Sequence, residues 1–179
     1  MCAIQLARVY KCAEVVVTSS QGETCTRLGA TRVIDHRAGE KWDELLKGAG
    51  MDVVFNAVEG KEAFYNASKV LKPSGGRYIT INADNPHKAP TPADFCAFMG
   101  AMTWRKSWSW LGYPSFEFHV SVEDPAGLQE AAKLAAAGAL AMPLHAGVVH
   151  PMRVEAVREM WTVQMAGRVH GRSVFMWES

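Results

Sequence analysis

The stretch that decides the fold opens the chain: AIQLARVY at residues 3–10, EVVVT at 14–18 and SSQ at 19–21. The first segment has the apolar spacing of an amphipathic helix, and the second is a β-branched run typical of a strand buried on both faces. This strand ends in hydroxyl groups rather than carboxylates. Such a helix and strand form the second half of a dinucleotide-binding βαβ unit, whose first strand and glycine-rich turn are not found ahead of them.

Composition restricts the function classes. The 179 residues carry a net charge of +1 without a basic run, so we expect no nucleic-acid partner. No apolar run approaches the roughly 18 residues that a membrane span needs, and no signal peptide is readable. The four cysteines form no C-x-x-C pair, which predicts free thiols in a reducing compartment and no structural zinc site.

Strands and helices alternate at short spacing after residue 18. The predicted helices cover 21–28, 42–47 and 62–71, and the predicted strands cover 32–35, 52–56 and 77–81. This alternation predicts an α/β fold, a doubly wound parallel sheet of the Rossmann type that lacks its first strand and glycine-rich turn. We expect residues 1–150 to form this partial nucleotide-binding domain.

The later part of the chain is less regular. A loop over 82–92 leads to a predicted helix over 95–102, a strand over 116–120, a helix over 125–138 and an extended segment over 144–150. Residues 151–179 predict a helix with Met160 and Met165 in the core, then a closing strand over 173–177. We expect this last portion to dock on a second, catalytic domain.

The end of the first strand indicates which nucleotide is bound. An acidic residue there would accept the ribose 2′-hydroxyl of NAD, whereas hydroxyl groups leave room for the 2′-phosphate of NADP. Ser19 and Ser20 can donate to a phosphate, and Gln21 lies at the start of a helix, where anions are favoured. The alternative is an ordinary helix N-cap, for which serine is common.

Six segments in order carry a family resemblance: Ala3–Ala7, Leu28–Asp35, Asp52–Val58, Leu71–Tyr78, Ala135–Gly138 and Gly171–Val174. The chain resembles the C-terminal half of a medium-chain dehydrogenase/reductase. It is most similar to the zinc-free quinone-oxidoreductase branch, which includes the reticulon-interacting mitochondrial proteins. Each motif is weak alone, but six in the same order are quite specific.

The resemblance implies a Rossmann domain that binds NADPH and passes hydride to a quinone or enone-like substrate. The positions that the resemblance assigns to the cofactor are Ser19, Ser20 and Gln21 at the 2′-phosphate, His36 at the adenosine end, Asn56, Ala57, Val58 and Asn82 along the dinucleotide, and Arg172 near the phosphates. The compartment it implies is the cytoplasm or the mitochondrion, with any targeting segment outside this chain.

Two parts of the family pattern are missing, the glycine-rich turn and the GroES-like N-terminal domain. We therefore interpret the chain as a fragment of an NADPH-dependent oxidoreductase. The alternative is a catalytically inactive remnant that serves as a binding or interaction module. A methyltransferase is disfavoured, because its sheet has an acidic residue where Ser19 and Ser20 stand.

Three tryptophans, Trp104, Trp108 and Trp110, crowd one stretch of the chain. They could stack on a nicotinamide or quinone, but such a cluster more often belongs to a core or a dimer edge, and we expect a homodimer. Tyr113 could protonate a reduced substrate, yet no spacing pairs it with a second group. The sequence therefore predicts no identifiable general acid, and the histidines show no shared metal spacing.

Overall fold

The computed structural model describes residues 1–58, 60–82, 91–119, 123–141, 143–166, 169 and 171–177. The chain forms two compact units. The first combines Met1–Gly39 with Asp124–Ser179, and the second is Glu40–Glu123. The polypeptide therefore leaves the first unit after residue 39 and returns to it at residue 124. The domain boundary that we expect near residue 150 stays a prediction.

Helices and strands alternate along most of the described chain. The helices are α1 Cys2–Val9, α2 Gly22–Leu28, α3 Trp42–Leu45, α4 Glu62–Ser68, α5 Pro92–Trp108, α6 Pro125–Ala136 and α7 Val154–Met165. The strands are β1 Val16–Thr18, β2 Arg32–Ile34, β3 Val53–Asn56, β4 Arg77–Thr80, β5 Ser115–Phe118, β6 Leu144–Pro151 and β7 Arg172–Met176. All strand pairs among the described residues are parallel, which confirms the predicted α/β fold.

In the first unit, β1 and β2 pair with Thr18 opposite Ile34. Buried apolar side chains of α1, α2 and the turn after α2 form the core beside this pair: Ile4, Cys25, Leu28 and Ala30. α2 ends at Gly29, whose φ of +115° is left-handed and where a Cβ would come within 2.9 Å of Arg8 Cδ. Glycine satisfies both constraints, so the helix stops there and the chain enters β2.

A glutamine side chain joins the two chain segments of the first unit. Gln5 in α1 is 6% exposed. Its Nε2 donates to the carbonyl oxygen of Ala141 at 2.9 Å, and the Ala141 N–H donates to its Oε1 at 2.6 Å. One buried amide thus satisfies both backbone groups of a residue 136 positions away, which fixes the segment after α6 against α1.

The C-terminal part of the first unit consists of the parallel pair β6–β7 and the intervening helix α7. Met160 in α7 is buried, as predicted, but Met165 is 71% exposed, so the prediction that it is a core residue is wrong. Five residues turn a helix by about 500°, which places Met165 about 140° around the axis from Met160. Other apolar side chains of α7 are also exposed, namely Val154, Val157 and Trp161.

The second unit contains a three-stranded parallel sheet in the order β3–β4–β5. Its core is aromatic, because Phe64 of α4 contacts Tyr78 of β4 and Phe116 of β5 edge to face, with ring centroids 5.5 and 5.4 Å apart. Tyr78 and Phe116 stack on each other across the two strands. Edge-to-face and offset stacked pairs are favourable arrangements for aromatic rings, so α4 is held firmly on the sheet.

Helix α5 is longer than the predicted helix over 95–102. It begins with a capping box, in which Thr91 Oγ1 accepts from the Asp94 N–H and Asp94 Oδ2 accepts from the Thr91 N–H. These reciprocal bonds and a proline at the first helical position start the helix at Pro92. The buried face of α5 carries Arg105, whose Cζ lies 5.6 Å from the Phe64 ring centroid and 5.5 Å from that of Phe116. Stacking on aromatic faces allows this cation to be buried.

Candidate functional site

Backbone and side-chain hydrogen bonds organise the carboxyl end of β1. The Ser19 N–H donates to the carbonyl oxygen of Ile34, which extends the pairing with β2 by one residue. Ser19 Oγ then accepts from the Gln21 N–H at 3.0 Å. Ser19 and Ser20 are both half-buried. The Ser19 hydroxyl keeps its proton for an acceptor outside this turn, which is what a phosphate oxygen requires.

The end of the neighbouring strand β2 adds a carboxylate and two basic residues at the same edge. Asp35 follows β2, and its Oδ1 accepts from the Arg37 N–H at 2.8 Å, which caps a short 3-10 turn over His36–Ala38. His36 and Arg37 are exposed. The Arg37 guanidinium forms no ion pair among the described residues. Sequence reasoning missed Arg37, although a basic residue in the turn that follows a strand was the signal that could have found it.

Gln21 is the N-cap residue of α2 but makes no side-chain cap bond. Its Oε1 is buried without a hydrogen-bond partner. A buried orphan acceptor is costly, so this amide is suited to a ligand that completes it. Rotating the amide by 180° exchanges oxygen and nitrogen, and the group then offers a donor to an anion. The three predicted positions Ser19, Ser20 and Gln21 thus lie together with His36 at one edge of the β1–β2 pair.

Arg172 is the first residue of β7 in the first unit, and it is exposed. It lines a small cleft with Met1, Cys2, Pro143 and Gly171. Met1 is the N-cap residue of α1 and provides no side-chain cap. The first N–H groups of a helix have no partner within the helix, and the helix dipole favours negative charge there. The cleft therefore combines a guanidinium with a helix N-terminus.

The predicted residues of the second unit lie at the ends of β3 and β4. Asn56 is buried, and its Nδ2 donates to Tyr78 Oη at 2.9 Å and to Thr80 Oγ1 at 3.3 Å. Asn56 Oδ1 accepts from the Val58 N–H, while Thr80 Oγ1 accepts from the Asn82 N–H. The Asn56 side chain is thus bonded within the protein. It shapes the two strand ends, while Ala57 and Val58 are exposed beside it.

The tryptophan stretch of the second unit divides into two parts. The Trp108 ring is half-buried and packs at 5.8 Å from the Phe64 ring and 5.1 Å from that of Tyr113. Trp104 is exposed, and Trp110 is 87% exposed in the 3-10 turn over Ser109–Leu111. The core interpretation therefore holds for Trp108 alone, and the outer two form an apolar surface.

Neither a cluster of metal-ligating side chains nor a membrane-spanning helix is present in the part of the chain that the structure describes. No three His, Cys, Asp or Glu side chains come together there. None of the described helices is both long enough and apolar enough to cross a bilayer.

One ion pair of the second unit shifts two pKa values. Lys69 Nζ lies 2.6 Å from Asp43 Oδ2, and Asp43 is 7% exposed. The hydrogen bond from Lys69 lowers the pKa of the Asp43 carboxyl, and the same bond raises the pKa of Lys69. This pair joins α3 to the end of α4 and lies outside the strand ends described above, so we assign it a structural role.

Comparison with solved structures shows the same fold in several oxidoreductases. The quinone oxidoreductase from Coxiella burnetii aligns with a TM-score of 0.68 at 18% identity over 97% of this chain and 48% of its own. A putative alcohol dehydrogenase from Sinorhizobium meliloti 1021 aligns with a TM-score of 0.68 at 20% identity, over 98% of this chain and 44% of its own. The CurK enoyl reductase aligns with a TM-score of 0.59 at 23% identity, over 98% of this chain and 50% of its own. The chain spans about half the length of these proteins.

The sequence itself matches the family model described as zinc-binding dehydrogenase over residues 1–118, about two thirds of the chain. None of the curated proteins compared with it matches. The family match and the shared fold agree with the resemblance found in the sequence, while the zinc-free branch stays a prediction. The chain belongs to the zinc-binding dehydrogenase family of the medium-chain dehydrogenase/reductase superfamily, and it corresponds to the C-terminal, cofactor-binding portion.

Proposed function

We propose that this chain is the cofactor-binding part of an NADPH-dependent oxidoreductase that reduces a quinone or enone-like substrate. The observation that carries the proposal is the pair of hydroxyls, Ser19 and Ser20, where a carboxylate would select NADH. Arg37 stands at the same edge with its guanidinium outside any described ion pair. A 2′-phosphate would gain charge-assisted hydrogen bonds from these groups.

Arg172 and the N-terminus of α1 support binding of the cofactor's bridging phosphates. They line one cleft in the first unit, and both favour an anion. Only residues 10–15 connect α1 to β1. We therefore propose that the helix runs antiparallel to the strand and that its N-terminus lies toward the same edge as Ser19. This arrangement suits an extended dinucleotide whose adenosine end and phosphates reach two points of that edge.

In this proposal the protein binds and orients the cofactor rather than reacting with it. NADPH supplies the hydride when it is bound. The bonds from Asn56 to Tyr78 and Thr80 fix the ends of β3 and β4, which we propose line the dinucleotide through Ala57, Val58 and Asn82. No described side chain is assigned as a general acid. The proton for a reduced quinone then comes from water or from residues outside this chain.

Fluorescence titration with NADPH and NADH tests the cofactor assignment. In Ser19→Asp, the new carboxylate repels the 2′-phosphate and a hydroxyl donor is lost, so the Kd for NADPH should rise about 10- to 100-fold. The Kd for NADH should change little. Ser74→Asp places the same charge at an exposed turn and is the matched control. Equal effects of Ser19→Asp on both nucleotides would contradict the assignment.

The second candidate is a non-catalytic interaction module. Trp104, Trp110, Leu111 and Tyr113 are more than half exposed on consecutive segments, and a large apolar surface of this kind marks interaction sites. The absence of a saturable signal with either nucleotide would favour this candidate over the enzyme.

A homodimer is the partner we propose for this surface. The chain that carries this apolar surface continues directly into β5, which pairs with β4 and with no other described strand. An open strand edge beside an apolar surface is suited to pairing with a second copy. Sedimentation velocity of Trp110→Ser, compared with Trp161→Ser on α7, tests this assignment. A dimer that survives Trp110→Ser unchanged would contradict it.

A further inference from the structure

The first unit contains a second cleft, of about 600 Å³, at the C-terminal ends of α1 and α2. Its lining includes two cations, Arg8 and Arg27, in the last turns of these helices. Four residues that follow α6 form the opposite wall, namely Gly138, Ala139, Ala141 and Pro143. A volume of this size lies within the range of pockets that hold small molecules.

The wall of this cleft is fixed in place. The side-chain amide of Gln5 bonds both backbone groups of Ala141, which holds that wall against α1. On the other side, the Arg8 side chain packs closely against Gly29. A Cβ at that position, which glycine lacks, would lie only 2.9 Å from Arg8 Cδ. Both walls of the cleft are thus in contact with α1, which limits the ordering that binding would require.

The two arginines are available to an anion. Neither guanidinium forms an ion pair with a carboxylate among the described residues, and no acidic side chain lines the cleft. Arginines in a last helical turn can serve to cap its carbonyl oxygens. Here backbone N–H groups already bond those oxygens, because Tyr10 donates to Leu6 and Ala30 donates to Cys25. The guanidinium donors are thus not required for capping.

The remaining lining is apolar, contributed by Val9, Leu28, Ala139 and Pro143. We infer that this cleft binds an organic anion, a carboxylate or phosphate monoester carried on a compact apolar body. Arg8 and Arg27 hold the charged group, and the apolar wall covers the body. Pro143 also borders the smaller cleft that contains Arg172, but the cations of the two sites are different.

Calorimetry with three probes that share a naphthalene body tests the inference. These are 1-naphthyl phosphate, 1-naphthoate and the uncharged 1-naphthalenemethanol. The two anions should bind the unmodified protein at least about tenfold more tightly than the alcohol, because each contact with a guanidinium is charge-assisted. The stronger of the two anions identifies the ligand's charged group. Failure of both anions to bind, or equal binding of anion and alcohol, would overturn the inference.

Variants assign the binding to the cleft. The double variant Arg8→Gln/Arg27→Gln should lower the affinity for both anions about 10- to 100-fold and leave the alcohol unchanged. Arg27→Gln alone, which leaves the Arg8 packing on Gly29 intact, should give a smaller loss of the same sign. Arg158→Gln removes an exposed arginine of α7 and is the control.

Two further measurements separate this site from other apolar surfaces. Ala139→Trp fills the cleft without changing its charge and should abolish binding of all three probes. Arg172→Gln should leave the probe affinities unchanged, and this variant keeps the result separate from the fate of the cofactor assignment. Probe binding that survives both the double arginine variant and Ala139→Trp, or that Arg172→Gln abolishes, would refute the site.

Discussion

The side-chain amide of Gln5 and the peptide group of Ala141 form two hydrogen bonds, at 2.9 and 2.6 Å, across 136 positions of sequence. The amide imitates the pairing of a neighbouring β-strand, since it offers one donor and one acceptor to a single residue. A buried pair of this kind is expensive to break, because each partner left alone is a desolvated polar group. Gln5 is therefore the position at which we expect the first unit to be most sensitive to a conservative change.

Gln5→Glu should destabilise the chain strongly, although the two side chains have nearly the same size and shape. The carboxylate cannot donate to the Ala141 carbonyl and is buried with a charge, so we expect a loss of about 1–3 kcal/mol in the free energy of unfolding. Urea denaturation followed by circular dichroism measures it. Gln164→Glu makes the same replacement at an exposed site of α7 and should change stability little. Equal losses in the two variants would show that the Ala141 contact contributes nothing.

Arg172→Gln should weaken NADPH and NADH alike. Arg172 lies in the cleft at the N-terminus of α1, which we propose holds phosphates that both nucleotides share. Removing one charge-assisted contact should raise both Kd values about tenfold, and titration of each nucleotide checks this. Arg158→Gln is the control. An effect confined to NADPH would instead move Arg172 to the 2′-phosphate.

Thr80→Val should disturb the ends of β3 and β4 together. The hydroxyl of Thr80 accepts from the buried Asn56 Nδ2 and from the half-buried Asn82 N–H, so valine removes one acceptor from each donor. We expect a loss of about 1–2 kcal/mol in the free energy of unfolding. Urea denaturation compares it with Thr103→Val, which removes an exposed hydroxyl that donates to the Met99 carbonyl oxygen within α5. An equal loss in the free energy of unfolding for Thr103→Val would contradict the prediction.

The Asp43–Lys69 pair should give the stability an acid-sensitive component. Because the hydrogen bond from Lys69 lowers the pKa of Asp43 in the folded chain, the unfolded chain binds that proton more readily. This contribution is present at neutral pH and is lost as the pH falls below about 4.

Asp43→Asn should therefore flatten the fall of the urea midpoint between neutral and acid pH. Asp52→Asn, which removes an exposed carboxylate paired with Lys72, is the control and should leave that slope nearly unchanged. An unaltered slope in Asp43→Asn would show that other carboxyl groups carry the acid sensitivity.

The sequence predicted the helices and strands well, because the residue patterns that mark them lie within short segments. β-branched runs marked β1 and β3, and Gly29 marked the end of α2. Tertiary partners escaped the sequence analysis for the same reason. The Asn56 side chain was assigned to the dinucleotide, but its bonds to Tyr78 and Thr80 come from a strand more than twenty residues away. The strand pairing that brings these groups together cannot be seen within one segment.

Side-chain burial was predicted less well than secondary structure. The spacing of apolar residues in α7 predicted a buried face, and the described structure leaves most of it exposed, with Trp161 65% exposed. Arg105 is the opposite case, because a cation in a helix reads as a surface residue. It lies on the face of α5 that meets Phe64 and Phe116, and only the packing of the helix on the sheet shows this.

The position of Met1 beside Arg172 and Gly171 has a practical consequence for protein engineering. A purification tag or fusion partner attached ahead of Met1 would emerge at the mouth of that cleft. An acidic tag there would compete with the anion for the guanidinium and mimic a binding defect. Nucleotide titrations are therefore best done after the tag has been cleaved.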